Sequence, residues 1–112
     1  MKQNQKTGKE MKVIWSSFAE HTLADIYNYY RDVADIIVAK RIKSEILSAT
    51  KLLIKHPNSG QVEELLKQLE EGHRYLVIGH HKIIYKHVEE GILITDVFDT
   101  RQNPIKINTE LK

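Results

Sequence analysis

The 112-residue chain has no cysteine, two prolines and five glycines. Without cysteine there is no disulfide, no thiolate nucleophile and no zinc–thiolate site, which suits a reducing cytoplasm. Its longest aliphatic run, Ile36-Ile37-Val38-Ala39, falls far short of the ~20 apolar residues that span a bilayer. No apolar segment opens the chain, so no signal peptide is expected. There is no Gly-rich phosphate loop and no nucleophile elbow. The six histidines do not sit at metal spacing. His81 and His87 are the pair that would share a strand face, and they would stand about 20 Å apart. No metal and no other cofactor is expected.

An excess of one charge is also missing from the body. The first ten residues, MKQNQKTGKE, hold three Lys and one Glu, and residues 11–112 hold fourteen basic against fourteen acidic side chains. The alkaline isoelectric point therefore belongs to the opening segment. A neutral body lacks the field of a protein whose main ligand is nucleic acid. Residues 1–10 have no aliphatic side chain after Met1, and a disordered tail is expected there. Residues 11–112 are expected to form one domain.

Within that domain MKVIWSS reads as a short strand. Ser17 and Glu20 fit a capping box, followed by Ala19, Leu23, Ile26, Tyr27, Tyr30 and Ala34 at helical spacing. Asp35 is placed to cap a second helix with Ala39, Ile42, Ile46, Ala49 and Leu53 on its inner stripe. His56-Pro57-Asn58-Ser59-Gly60 stops it, so the two helices form a hairpin. Residues 62–71 predict a short helix with Leu65, Leu66 and Leu69 inward. RYLVIG, HKIIYKHV and ILITDVFD then predict an antiparallel meander, with Gly79-His80 and Glu90-Gly91 as tight turns. The fold class is α+β: strand, helical hairpin, β-meander.

Those turns set a register. Arg74 falls opposite Tyr85 and Tyr85 opposite Asp96, which predicts a structural ion pair between Arg74 and Asp96 on the helix-facing side. Leu76, Ile78, Ile83, Tyr85, Ile92, Ile94 and Phe98 share that side. The other side holds Tyr75, Val77, Lys82, Ile84, Lys86, Val88, Leu93, Thr95 and Val97, with Lys82 opposite Asp99 and Arg101 beyond. An apolar floor bearing Lys82, Lys86 and Arg101 has the make-up of a partner-binding surface, and also of a solvated face with snorkelling lysines. Arg101 itself, in DVFDTRQNP, could be a solvated cap, a buried ion-pair partner or a group that grips a target; with Asp99 given to Lys82 it has no obvious acidic partner, and an unpaired cation presented to a partner is expected.

The order of elements, with Pro57-x-x-Gly60, Arg74-x-Leu76, Lys82-Ile83-Ile84-Tyr85 and Arg101, resembles the RelE/ParE superfamily of toxins from type II toxin–antitoxin modules. The resemblance covers nearly all of residues 11–104; His81 stands where the family usually has Tyr. It implies a cytoplasmic growth inhibitor of plasmid-stabilisation type, neutralised by a cognate antitoxin in a heterotetramer or larger complex. ParE-like members act on DNA gyrase, whereas RelE-like members cleave mRNA on the ribosome. As an endoribonuclease the chain would draw on Lys82 and Arg101 as phosphate-binding cations, with Tyr75 and His80 as candidates for proton transfer. The segment after Arg101 offers neither Tyr nor His. The ParE-like reading therefore ranks first, the ribosome-dependent nuclease second, and a non-toxic interaction module of the same fold third.

Overall fold

The computed structural model describes residues 10–101. The expectations for residues 1–9 and for the Asn103-Pro104 stop lie outside them. The elements are β1 (Lys12–Trp15), α1 (Ser17–Val33), α2 (Ile36–Lys51), a 3₁₀ turn (Leu52–Ile54), β2 (Gln61–Val62), a 3₁₀ segment (Glu64–Leu69), β3 (Arg74–Ile78), β4 (His81–Val88) and β5 (Gly91–Asp99). The five strands form one sheet in the order β1-β5-β4-β3-β2. Only the β1–β5 pairing is parallel. No helix among the described residues is long and apolar enough to cross a membrane.

Helix α1 begins one residue earlier than the capping-box reading. Ser16, not Ser17, is the N-cap, and its hydroxyl accepts the Ala19 amide at 3.0 Å. Ser16 also donates its own amide to Ile94 O, so the strand end and the helix start share one residue. Asp35 caps α2 as the sequence predicts, accepting the Val38 amide at 2.9 Å. Ala19, Leu23, Ile46 and Leu53 bury their side chains against Ile83, Tyr85, Ile92, Ile94 and Val97.

Segment 62–71 differs from expectation. Val62 pairs with Arg74 in a strand, and Glu63 caps a 3₁₀ segment by accepting the Leu65 amide. Glu70, in the left-handed conformation, ends it. Leu66 is fully buried, but Leu65 points outward and is half exposed.

The sheet register decides the rest. The β3–β4 hairpin turns at Gly79-His80, with Arg74 opposite Tyr85, as predicted. The β4–β5 hairpin turns one residue earlier than predicted, because Val88 pairs with Gly91. Gly91 is part of the strand: a Cβ there would lie 2.2 Å from the Lys12 carbonyl. This glycine permits the close approach of β1 and is not the turn residue. Between Ile84 and Tyr85 the register then slips. Tyr85 pairs with Ile94, but Ile84 pairs with Asp96, leaving Thr95 as the extra residue of a bulge. Beyond it every side chain of β5 changes face relative to the predicted register. Val97 joins the helix-side core, and Phe98 joins Ile84 and Tyr75 on the outer face.

Candidate functional site

The outer face of the sheet is not the open, cation-bearing floor that the sequence predicts. Leu66 packs on Ile84, with Leu69, Tyr75 and Phe98 around them. The residues flanking the covering 3₁₀ segment bring carboxylates to both lysines. Lys82 Nζ lies 2.5 Å from Glu63 Oε1 and 4.1 Å from the centre of the Tyr75 ring. Lys86 Nζ lies 2.5 Å from Glu71 Oε1. That contact, chiefly the hydrogen bond from Lys86, holds the Glu71 carboxyl below its ordinary pKa. The Tyr75 hydroxyl donates to Gln61 Oε1 at 3.0 Å. Lys82 does not face Asp99, because the earlier β4–β5 turn and the bulge together put Phe98 opposite it.

Arg74 is anchored differently from the expected pair. The bulge puts Asp96 opposite Ile84, in a row on the other side of the sheet from Arg74 and Tyr85. Arg74 Nη1 instead donates to Gly60 O at 2.8 Å. The amide of the same glycine donates to the Tyr85 hydroxyl at 2.9 Å, and that hydroxyl donates to Pro57 O at 2.9 Å. A Cβ at position 60 would fall 2.6 Å from both Tyr85 Oη and Tyr75 O. The Pro57-x-x-Gly60 turn is thus a latch between α2 and the sheet. Burial pushes the Tyr85 hydroxyl pKa up, against the opposing hydrogen bond from the Gly60 amide.

The polar cluster that sequence reasoning missed lies where β4 begins and β5 ends. Asp99 stands opposite His81. Arg101 holds the Asp99 carboxylate through Nε at 2.9 Å and Nη2 at 2.5 Å, and its backbone amide donates to the same carboxylate at 2.8 Å. Arg101 Nη2 also reaches the Tyr30 hydroxyl on α1 at 3.3 Å. The hydrogen bond from Arg101 is the main reason that Asp99 stays ionised far below the usual carboxylate range, and it raises the pKa of Arg101 in turn. The buried His81 ring meets Tyr30 edge-on, with centroids 5.9 Å apart. Burial is the main force lowering its pKa; Arg101 adds to this and Asp99 opposes it. His80 is exposed and contributes its carbonyl to the Thr100 amide at 2.7 Å.

The four nuclease candidates are therefore split between two places. Lys82 and Tyr75 stack on the outer face; His80 and Arg101 stand at the hairpin end. Sequence reasoning gave Asp99 to Lys82 and left Arg101 without an acidic partner, whereas Arg101 pairs with Asp99 two residues away. The contribution of Tyr30, seventy-one residues from Arg101, was not legible either. Both cations at motif positions, Lys82 and Arg101, spend their charge on carboxylates of the same chain.

The architecture is shared with a solved structure titled "Chromosomal ParDE TA system from P. aeruginosa". One of its chains aligns with a TM-score of 0.68 over 80% of this chain and 95% of that one, at 19% identity. Among curated proteins no match is found. A family model described as the ParE toxin of type II toxin-antitoxin system, parDE, matches residues 13–104. That span runs from β1 through the latch and the ion-paired Lys82 and Lys86 to the residues just past Arg101. The chain therefore belongs to the ParE toxin family of type II toxin–antitoxin systems.

Proposed function

We propose that this toxin inhibits growth from the cytoplasm by acting on DNA gyrase through protein–protein contact, and that a cognate antitoxin neutralises it in a heterotetramer or larger complex. The observation that carries the choice of target is the internal pairing of Lys82 with Glu63 and of Arg101 with Asp99. Cleavage of RNA without a metal needs uncompensated cations at the phosphate and a proton donor and acceptor beside them. Here each cation already has a carboxylate, and Tyr75 and His80 are on different parts of the surface. Balanced charge also disfavours docking into ribosomal RNA, whose backbone rewards net positive charge. Membership of the ParE toxin family supports the antitoxin component.

The test is induced expression with and without the neighbouring antitoxin gene, followed by two assays on the purified toxin. Inhibition of gyrase supercoiling with no ribosome-dependent cleavage of mRNA is the expected result. Cleavage without gyrase inhibition reverses the ranking in favour of the nuclease. Growth unaffected by induction makes the chain an interaction module of this fold.

A further inference from the structure

Strand β1 pairs with β5 only as far as Trp15 and Ile94, whereas β5 continues to Asp99. Past Ile94 that side of β5 has no strand neighbour among the described residues. The Thr100 amide bonds to His80 O, so strand alternation turns the backbone groups of Phe98 and Asp96 toward β4. Those of Val97 and Asp99 turn the other way, toward the vacated edge. An unpaired edge of this kind is a template for an incoming extended segment.

Helix α1 flanks the vacated edge. Thr22, Asp25, Ile26 and Tyr29 fall on one stripe of the helix, and between them and the end of β5 lies a cleft of about 450 Å³. Its floor is apolar, with Ile26 and Val97. One wall is aromatic: Tyr29 is more than half exposed and meets Tyr30 edge-to-face at 5.1 Å. The carboxylate of Asp99 is taken by Arg101. Asp25 is exposed and its carboxylate makes no hydrogen bond or ion pair among the described residues, so it carries the unanswered charge of the cleft. A free carboxylate beside an exposed tyrosine face suits a cation. It suits guanidinium better than ammonium, because guanidinium is planar, weakly hydrated and stacks on aromatic rings.

We propose that this cleft receives an arginine side chain from an extended segment of a partner protein. The guanidinium lies against Tyr29 and Asp25, and the backbone of the segment runs along the open edge at Val97 and Asp99. The inference does not depend on which target the toxin inhibits.

The test uses the full chain, ¹⁵N-labelled, titrated with N-acetyl-arginine methylamide. The neutral isostere N-acetyl-citrulline methylamide is the control. The expected result is saturable shifts with the arginine compound, confined to the amides of 22–30 and 97–100, and no matching response to citrulline. Asp25→Asn should raise Kd about fivefold, the upper end for an exposed ion pair. Tyr29→Ala should weaken binding comparably by removing the aromatic face. Both substitutions are at exposed helix positions and should leave the rest of the spectrum in place. The proposal is overturned if citrulline binds as tightly or no saturable shift occurs. Shifts that map elsewhere, or affinity unchanged in both variants, overturn it as well.

Discussion

Removing Lys82 should cost more than removing its partner. Glu63 keeps only 3% of its side chain exposed, against 18% for Lys82. In Lys82→Met the Glu63 carboxylate stays buried, and the hydrogen bond from the Leu65 amide to Oε2 is its remaining interaction in the described site. Stranding one buried charge costs about 3–5 kcal/mol. In Glu63→Gln the amide oxygen can still accept from Leu65. The Lys82 ammonium still has the Tyr75 ring at 4.1 Å and a route to water. That substitution should cost only about 1–2 kcal/mol. For a domain of this size the larger loss lowers Tm by roughly 12–20 °C.

Urea denaturation of both single variants and the double variant checks the order and the coupling. The double variant should lose less than the sum of the singles by about 1 kcal/mol or more. Equal costs for the two single variants, or strict additivity, would each refute the assignment of a buried pair.

Tyr85→Phe removes the hydroxyl bridging the Gly60 amide and Pro57 O, and should cost about 2–3 kcal/mol in urea. Gly60→Ala should cost at least as much by forcing a methyl onto Tyr85 Oη and Tyr75 O. Arg74→Met and Asp96→Asn should be additive within about 0.5 kcal/mol, since the bulge puts them on opposite faces. Stability should fall on acidification in two windows. His81 resists the proton that the unfolded chain accepts, so stability declines from its ordinary pKa of 6.5 downward, and His81→Asn should flatten that slope. Asp99 is held ionised, so its contribution is full above its ordinary 3.8 and is lost below it.

The helical hairpin was legible because each signal is local. Asp35 precedes an apolar stripe with no competing cap, and Pro57 and Gly60 admit only a turn. Ser16 and Ser17 are adjacent and chemically alike. What chooses Ser16 is a hydrogen bond to Ile94, a contact between residues far apart in the chain. The 3₁₀ segment reads as an amphipathic helix over 62–71 because Leu65, Leu66 and Leu69 suit either geometry. Glu63 settles the matter by capping it and pairing with Lys82, and no spacing rule links 63 to 82.

The failure that mattered for the site has a single cause in β5. Register is readable when one face of a strand is wet and the other dry, since a one-residue slip then exposes the core. Strand β5 is central, and from Gly91 to Val97 only Leu93 is more than marginally exposed. A strand buried on both faces carries an almost continuous apolar sequence, and Ile92-Leu93-Ile94 gives no parity to count from. The bulge at Thr95 therefore leaves no trace in the hydrophobic pattern, and Gly91, read as a turn, moves the count further. One inserted residue exchanges Val97 for Phe98 at the core and separates Asp96 from Arg74. Together with the earlier β4–β5 turn, it takes Asp99 away from Lys82 and sets it opposite His81. Arg101, two residues on, folds back onto the Asp99 carboxylate and reaches the Tyr30 hydroxyl on α1. An arginine that read as a free cation becomes half of an ion pair at the strand end. The carboxylate that shares a cleft with Asp99 is that of Asp25, on a helix that the sequence places over the sheet without saying which of its polar residues meet the end of β5.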